Sequence, residues 1–534
     1  MARKVDTWII ISLGIAFILL ISVPYLWAYW NSGSDHVFGG FLFNPIDGNS
    51  YLAKMYQGWL GSWRYQLPYT SQVGDGGYLF LYYLALGQIA KLVGGSLQAT
   101  YHIARVLGSL VLVIALWNFY NKVLPSNRAK WLAFWLALFG SGIGWLTSLF
   151  GMFTSDLWVA EGYPFLAAYA NPHFPMGLAI LLWIITPEIC EVEVRHKKFD
   201  IANTIFMIGG SIILGIILPF GVVIAGVILG GIVVWDVWEQ FSQHKRDSWK
   251  LNLVSAVLGK SVTFRKLVLL LIGGLPILIY EVWITTSDPL LSIWNEQNLT
   301  ASPALWDLMF SFAPILVLAL AGSWLIIREQ DSMARILIVW ACLGLLLLYI
   351  PWSLQRRFIL GYMIPLAGLA GICLDFLTTR RRGLGLAIIC LVCILIIPTN
   401  LMIILGGIQA VQTKNPNVFM SVEEKRGLDW VAANSPQDSV ILASPQMGLF
   451  IPAHSGRRVL YGHPFETVNA EEMEATVMNL FNGTINLVEE NAILGVDYVF
   501  YGPRERELGV VTQEFGIHVI YSSEDLLIYK VENQ

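Results

Sequence analysis

Apolar positions along this chain come in long blocks rather than at short period. Runs of roughly 18 or more apolar residues recur, each long enough to cross a hydrocarbon layer as a helix. Broken by polar or Pro/Gly-rich segments, they predict about eleven spans, near residues 8–30, 99–120, 131–151, 174–188, 202–218, 220–237, 267–285, 305–327, 335–351, 358–377 and 384–408. Residues 78–93 are apolar but shorter, and predict a helix lying on the membrane surface. Beyond residue 408 the blocks stop. The stretch from Ser421 to Trp430 opens with a Ser/Glu capping pattern and predicts a helix. Residues 440–443, 458–461, 496–501, 518–521 and 526–529 predict strands, and residues 470–482 a second helix. Strands alternating with helices favour an α/β layer fold.

Charge sets the sidedness. With residues 78–93 on the surface, five basic groups share one side: Lys122, Arg128 and Lys130; Arg195, Lys197 and Lys198; Lys245 to Lys266; Arg328 and Arg335; and Arg380 to Arg382. The positive-inside tendency puts that side in the cytoplasm. An odd number of spans then sends the C-terminus outside, with loops 31–98, 152–173, 286–304 and the turn near 351–358. The expected architecture is a polytopic α-helical membrane domain, residues 1–408, with a large first outer loop at 31–98. A soluble extracytoplasmic α/β domain follows at 409–534. Arg3 and Lys4 precede the first apolar run, no small-residue cleavage site follows it, and Trp27, Tyr29 and Trp30 mark an interface. It reads as a retained span, in a multi-pass protein of the cell membrane.

Composition agrees: of 534 residues 56% are hydrophobic and 13% charged, against about a quarter charged in a soluble protein. No basic tract suggests nucleic acid. Of five cysteines, Cys342, Cys373, Cys390 and Cys393 fall in apolar spans and Cys190 at a span end, so no disulfide holds the tail. The C-x-x-C pair Cys390/Cys393 lies in an apolar run and reads as packing rather than metal or redox chemistry. No G-x-G-x-x-G follows a strand, and no P-loop, G-x-S-x-G or H-E-x-x-H is present.

Candidate chemistry gathers in the outer segments. Asp47 lies in Asn44-Pro45-Ile46-Asp47-Gly48-Asn49-Ser50-Tyr51, ahead of helical spacing from Ser50 to Trp63. It has two readings: an N-cap, or a general base that takes the proton of an acceptor hydroxyl. The same loop carries Tyr51, Lys54, Trp59, Trp63 and Tyr69 as substrate-binding candidates, the aromatics serving equally as interface anchors. The second outer loop holds Glu161, Asn171 and His173; His173 is structural, binds a phosphate or assists proton transfer. Glu281 and Asp288 flank another span, and Asp288-Pro289 also suits a turn. The adjacent Arg356 and Arg357 break the charge rule on the outer side. They either snorkel to lipid phosphate or hold an anionic ligand through the planar guanidinium fork. In the tail, His454, Arg457, Arg458, His463, Glu466 and Asn469 crowd one loop, which either binds acceptor or is plain surface. No metal set is evident. Asp47, Glu161 and Asp288 are oxygen ligands of the kind a hard divalent cation takes, and the cofactor stays open.

This layout resembles the GT-C superfamily of integral-membrane glycosyltransferases: a first span, a large outer loop with an acid, a surface helix at Tyr78 to Val93, then Ala104-Arg105 opening the next span. The resemblance is closest to the polyprenyl-phosphate-dependent mannosyltransferase and aminoarabinose-transferase branch. It implies that Asp47 is the catalytic base and that Arg356 and Arg357 bind donor phosphate; His173 is the further phosphate-binding candidate. Tyr51, Lys54, Tyr69, Glu161, Asn171, His463 and Glu466 would then bind substrate. The implied reaction moves a sugar, with inversion, from a polyprenyl-phosphate donor to an extracytoplasmic glycan, lipid or protein acceptor. Asp47 is followed by Gly48 where protein mannosyltransferases have a second acid, and the Trp-Trp-Asp signature of oligosaccharyltransferases is absent. Both departures argue against transfer to protein asparagine. The competing classes are a transporter, which would place acids and broken helices at mid-membrane, and a non-catalytic lipid-binding or envelope-assembly protein.

Overall fold

A computed structural model describes residues 2–187, 201–243, 261–329, 331, 333–509 and 517–532. Cys190, Arg195, Lys197, Lys198 and the stretch from Lys245 to residue 260 lie outside the described residues. By contact the chain forms two compact units that are not contiguous in sequence. The first comprises Met1–Ile21, Arg105–Tyr280 and Thr300–Leu405; the second comprises Ser22–Ala104, Glu281–Leu299 and Gly406–Gln534. The linear division expected at 408/409 follows the sequence, whereas these units group the first outer loop with the tail.

Each apolar block is helical. Among the described residues seven helices are long and apolar enough to cross a membrane, or eight if Leu305–Ser311 and Ile315–Glu329, bent by 88°, form one broken span. His173–Ile185, Ile201–Ile217 and Arg335–Leu348 are apolar but shorter, at 13, 17 and 14 residues. They rise about 20–26 Å, short of the ~30 Å hydrocarbon core. Length and composition thus assign seven or eight full spans where the hydropathy pattern predicts about eleven. The expected surface helix is present as Leu81–Val93.

In the first unit, polar groups with neutral partners fasten the bent pair. Asp307 accepts from the Ser155 amide and hydroxyl, both at 2.8 Å, and from Ser311 Oγ at 2.6 Å. Asp156 accepts from the Gly144 amide and the Thr154 hydroxyl, each at 2.7 Å. Burial pushes the Asp156 carboxyl up to about 6 despite those donors. Arg105 does not open its helix, which begins at Leu97. It lies two turns in, fully buried, and its Nη1 donates to the carbonyls of Ile21 and Ala168 at 3.1 and 3.0 Å.

In the second unit a five-stranded sheet runs in the order Arg458–Val459, Val440–Leu442, Tyr498–Tyr501, Leu527–Val531, Ile517–Ser522. The first three strands are parallel and the last two join antiparallel. Residues alternate between two cores, as the pleat requires. Ile441, Tyr498, Phe500 and Ile528 pack with Leu428, Met447 and Phe450. Leu442, Val499, Tyr501 and Tyr529 pack with Val477, Leu480 and Phe481. The expected capping box at Ser421 is formed: Ser421 Oγ accepts from the Glu424 amide at 3.0 Å, and Glu424 returns a contact of 2.7 Å to the Ser421 amide. Arg504 then binds Glu424 at 2.7 Å. Helices Pro445–Ser455 and Leu487–Leu494 are additions to the expected pattern. Arg457 and Arg458 are ties rather than a free polar surface. Arg457 donates to Ser435 Oγ and to the carbonyls of Ala432, Ser435 and Ser455; Arg458 donates to those of Ser71 and Asp438.

The first outer loop is built into this unit. His36–Phe38 pairs antiparallel with Phe419–Ser421, the Val459 amide donates to the Pro68 carbonyl at 3.1 Å, and Tyr69 lies in the tail's core. Helix Pro45–Leu60 crosses Leu81–Val93 at two glycines. A Cβ on Gly87 would fall 1.9 Å from the Met55 carbonyl oxygen, and one on Gly58 2.1 Å from that of Leu84. Gly87→Ala should therefore destabilise the protein by about 1–3 kcal/mol and lower its melting temperature in detergent. Gly209→Ala, where nothing lies within 4 Å of a new Cβ, should be neutral or slightly stabilising.

Candidate functional site

Helix Pro45–Leu60 begins at Asn44, whose left-handed backbone (φ 46°, ψ 62°) turns the chain into the helix. Asn44 Oδ1 accepts from the Asp47 amide at 3.4 Å, and its Nδ2 donates to Asp47 Oδ2 at 2.5 Å. Asn44 is therefore the N-cap, and Asp47 stands one turn in with its side chain 41% exposed. The capping reading of Asp47 falls to its neighbour.

Asp47, Ser50 and Lys54 follow at intervals of three and four, so they share one helix face. Lys54 has no solvent exposure and forms an ion pair with Glu466 at 2.7 Å. Ser50 Oγ bridges them, accepting from Lys54 Nζ and donating to Glu466 Oε1, each at 2.5 Å. Tyr65 donates to the other Glu466 oxygen at 3.2 Å. The rings of Phe80, Tyr65 and Tyr51 stand 4.4, 5.2 and 5.5 Å from the ammonium, an aromatic cage that suits a desolvated cation. Burial alone would raise the Glu466 carboxyl. The Lys54 charge and the hydrogen bonds from Lys54 and Ser50 outweigh it and hold the group below its ordinary range.

His463 lies three residues before Glu466 and is buried, with 1% of its side chain exposed. Its Nδ1 accepts from the amides of Phe465 and Glu466, both at 3.1 Å. A ring nitrogen that accepts amide protons carries none, so the ring proton sits on Nε2. That nitrogen has no hydrogen-bond partner and lies 3.7 Å from Asp47 Oδ1. The Tyr69 ring is 5.4 Å from the imidazole, and its hydroxyl is likewise buried without a partner. Burial raises the Tyr69 phenol well above its ordinary value, and the charges of Glu466 and Asp47 raise it further.

Six expected residues thus occupy the second unit: Asp47, Tyr51, Lys54, Tyr69, His463 and Glu466. Tyr51 stacks on Tyr83 at 4.4 Å beside the ammonium cage. Of the other tail candidates, His454 belongs to helix Pro445–Ser455, and burial lowers it to about 3. Ser50 and Tyr65 were missed as site residues; the spacing Asp47-Ser50-Lys54 was the available signal for Ser50.

Arg356, Arg357, His173, Glu161 and Asn171 belong to the first unit. Arg356 stacks over Trp158 at 4.7 Å, and its Nε is buried without a hydrogen-bond partner. Arg357 lies 5.8 Å from the Phe220 ring. Among the described residues no acid forms an ion pair with either guanidinium. His173 opens a helix, buried, with its ring 4.0 Å from that of Phe174. Asn171 is buried, and the Glu161 carbonyl accepts from the Gly361 amide at 2.8 Å. Asp288 caps helix Pro289–Gln297, accepting from the Leu290 and Leu291 amides at 3.0 and 2.9 Å. No three His, Cys, Asp or Glu side chains gather as metal ligands among the described residues.

No protein-family model and no curated protein matches this sequence. Solved structures do. The Archaeoglobus fulgidus oligosaccharyltransferase, tethered to an acceptor peptide containing the NVT sequon, superposes with a TM-score of 0.52 at 14% identity, over 98% of this chain and 74% of that one. The same enzyme with Zn and sulfate gives 0.51 at 14% identity, over 97% and 73%. As AglB with an inhibitory peptide and a dolichol-phosphate it gives 0.52 at 14% identity, over 99% and 74%. The chain shares the fold of this archaeal oligosaccharyltransferase. The expected polytopic helical membrane domain with a strand-containing C-terminal region is met at that level.

The buried ion pair makes a pH prediction. Glu466, held below its ordinary value of 4.5, adds stability that is present above that value and lost as pH falls through its lower folded value. Lys54→Met leaves the carboxylate buried and unpaired, which costs about 3–5 kcal/mol. Burial then raises the Glu466 carboxyl, so the sign inverts: the variant should lose stability as pH rises from about 4.5. Melting curves from pH 4 to 7 in detergent would show the crossover. Parallel curves for the two proteins would refute it.

Proposed function

We propose that this chain is an integral-membrane glycosyltransferase that takes a sugar from a polyprenyl-phosphate donor and passes it, with inversion, to an extracytoplasmic acceptor. One observation carries the proposal: Asp47 is presented at a helix start, partly exposed, against a wall of buried polar groups supplied by the first outer loop and the tail. The fold adds support, because the structures it resembles are of an oligosaccharyltransferase, seen with an acceptor peptide and, separately, with an inhibitory peptide and a dolichol-phosphate.

Asp47 is the general base of the reaction. Arg356 and Arg357 hold the donor phosphate; a guanidinium already stacked on an indole retains its in-plane N–H groups for an anion. His173 supports that phosphate, and Glu161 and Asn171 contact the donor sugar. Positive charge at the phosphate stabilises the leaving group, which is where electrostatic catalysis contributes most. The mannosyl- and aminoarabinose-transferase branch remains the preferred subfamily, and the acceptor is a glycan, lipid or protein hydroxyl. The 88° bend at Leu305–Ser311 is a feature a transporter would share. Its acids Asp156 and Asp307 are satisfied by neutral partners and leave no carboxylate open for a coupling ion.

Purified chain given dolichyl-phosphate mannose or undecaprenyl-phosphate aminoarabinose should release polyprenyl phosphate and invert the anomeric centre. Asp47→Asn should lower the rate by about 10²–10⁴ while melting like the wild type. Unchanged transfer by that variant would remove Asp47 from the chemistry. Arg356→Ala with Arg357→Ala should raise the donor KM by at least about tenfold, as expected for lost charge-assisted contacts. A donor KM equal to that of the wild type would overturn their assignment.

A further inference from the structure

We propose that Asn482 is a modification site, an asparagine to which a separate membrane transferase attaches an N-linked glycan on the outer surface of the tail. The inference does not depend on Asp47 or on the reaction assigned to it.

An asparagine with a hydroxyl residue two places on, and no proline between, occurs twice in the chain: Asn298-Leu299-Thr300 and Asn482-Gly483-Thr484. This is the acceptor pattern for N-linked glycan, and it acts only where asparagine and hydroxyl both reach the surface of an extracytoplasmic segment. The structure separates the two copies. Thr300 is buried, and its amide and hydroxyl both donate to the Ser353 carbonyl, at 2.8 and 3.4 Å. A hydroxyl turned inward in this way cannot be read by a second protein. Asn482, Gly483 and Thr484 are all exposed.

The exposed copy lies where helix Ala470–Phe481 ends, with the Asn482 amide donating to the Met478 carbonyl at 3.0 Å. Gly483 has a left-handed backbone, φ 76°, which turns the chain off the helix. Nothing lies within 4 Å of a Cβ placed there, so the turn stands clear of the rest of the tail. The Thr484 amide donates to Asn482 Oδ1 and to the Asn479 carbonyl, each at 2.9 Å. The oxygen end of the Asn482 amide is therefore held by the turn. Among the described residues neither Asn482 Nδ2 nor the Thr484 hydroxyl makes a hydrogen bond. The reacting nitrogen and the hydroxyl that marks it are the two groups the fold leaves to solvent.

The co-substrate is a polyprenyl-phosphate- or diphosphate-linked oligosaccharide. Asn482 Nδ2 forms the bond to the anomeric carbon and loses one proton to a base of the transferase. The carbon–oxygen bond to phosphate breaks, and its electron pair leaves on the phosphate oxygen.

The test is peptide mass spectrometry on the full-length chain purified from the membranes of its own host. The peptide containing Asn482 should be heavier by the mass of a glycan and should release sugar fragment ions, with the addition mapped to Asn482. The peptide containing Asn298 should be bare. Thr484→Ala keeps the asparagine and removes the hydroxyl, so the glycan should be lost. Thr484→Ser restores the hydroxyl and should restore the glycan. The wild-type map decides occupancy without either variant. Asn482 found bare overturns the proposal, and so does Asn482 merely deamidated by attack of the Gly483 amide. A glycan that survives Thr484→Ala, or one on Asn298 instead, also overturns it.

Discussion

A lysine ammonium without solvent exposure, 2.7 Å from a carboxylate 412 residues further along the chain, is the constraint that organises the second unit. A lone buried charge is prohibitive, so helix Pro45–Leu60 can bury Lys54 only where Glu466 meets it. The pair sets a register. Asp47 stands seven residues before Lys54, two turns back on the same face, and His463 stands three residues before Glu466. Closing the ion pair therefore brings the carboxylate and the imidazole to one place. Ser50 and Tyr65 satisfy remaining sites on the Glu466 oxygens, which lets the pair remain dry.

The sequence made the membrane helices legible because each is a continuous apolar block whose meaning needs no partner. The surface helix Leu81–Val93 and the capping box at Ser421 were legible for the same reason: their signals are local. Lengths were less so. The hydropathy of Arg335–Leu348 says apolar, but whether 14 residues cross a bilayer depends on packing and tilt. Helix Pro445–Ser455 was hidden by Pro452 and Gly448, both poor interior residues, and it exists because Met447, Phe450 and Ile451 fill the sheet's first core. The antiparallel pairing of His36–Phe38 with Phe419–Ser421 joins segments at opposite ends of the chain and leaves no local trace.

The same distinction applies to the site. Asp47 could be singled out by its place after the first span, and its proximity to a helix start was correct. Its role at that start was not settled, because Asn44 and Asp47 both suit a cap; the left-handed backbone at Asn44 decides between them. His463 and Glu466 were visible as polar residues in a crowded tail segment, where Arg457 and Arg458 proved to be structural ties. Residue type alone does not separate an arginine that binds carbonyls from a histidine whose donor is left unmet. The hydrogen-bond inventory does.

The packing around Gly48 explains why no second acid follows Asp47 in this chain. A Cβ at Gly48 would lie 2.3 Å from Phe41 Cγ, and Phe41 is itself buried edge-on against Tyr101 at 5.1 Å. The core under the helix start therefore leaves no volume for a carboxylate at that position. With one acid instead of two, the local charge is smaller and the remaining polar wall consists of donors, His463 Nε2–H and the Tyr69 hydroxyl. A shared fold is compatible with many acceptors. Here the steric limit at Gly48 removes the option of a paired-acid site, and the chemistry around Asp47 has to be completed by hydrogen-bond donors from the loop and the tail.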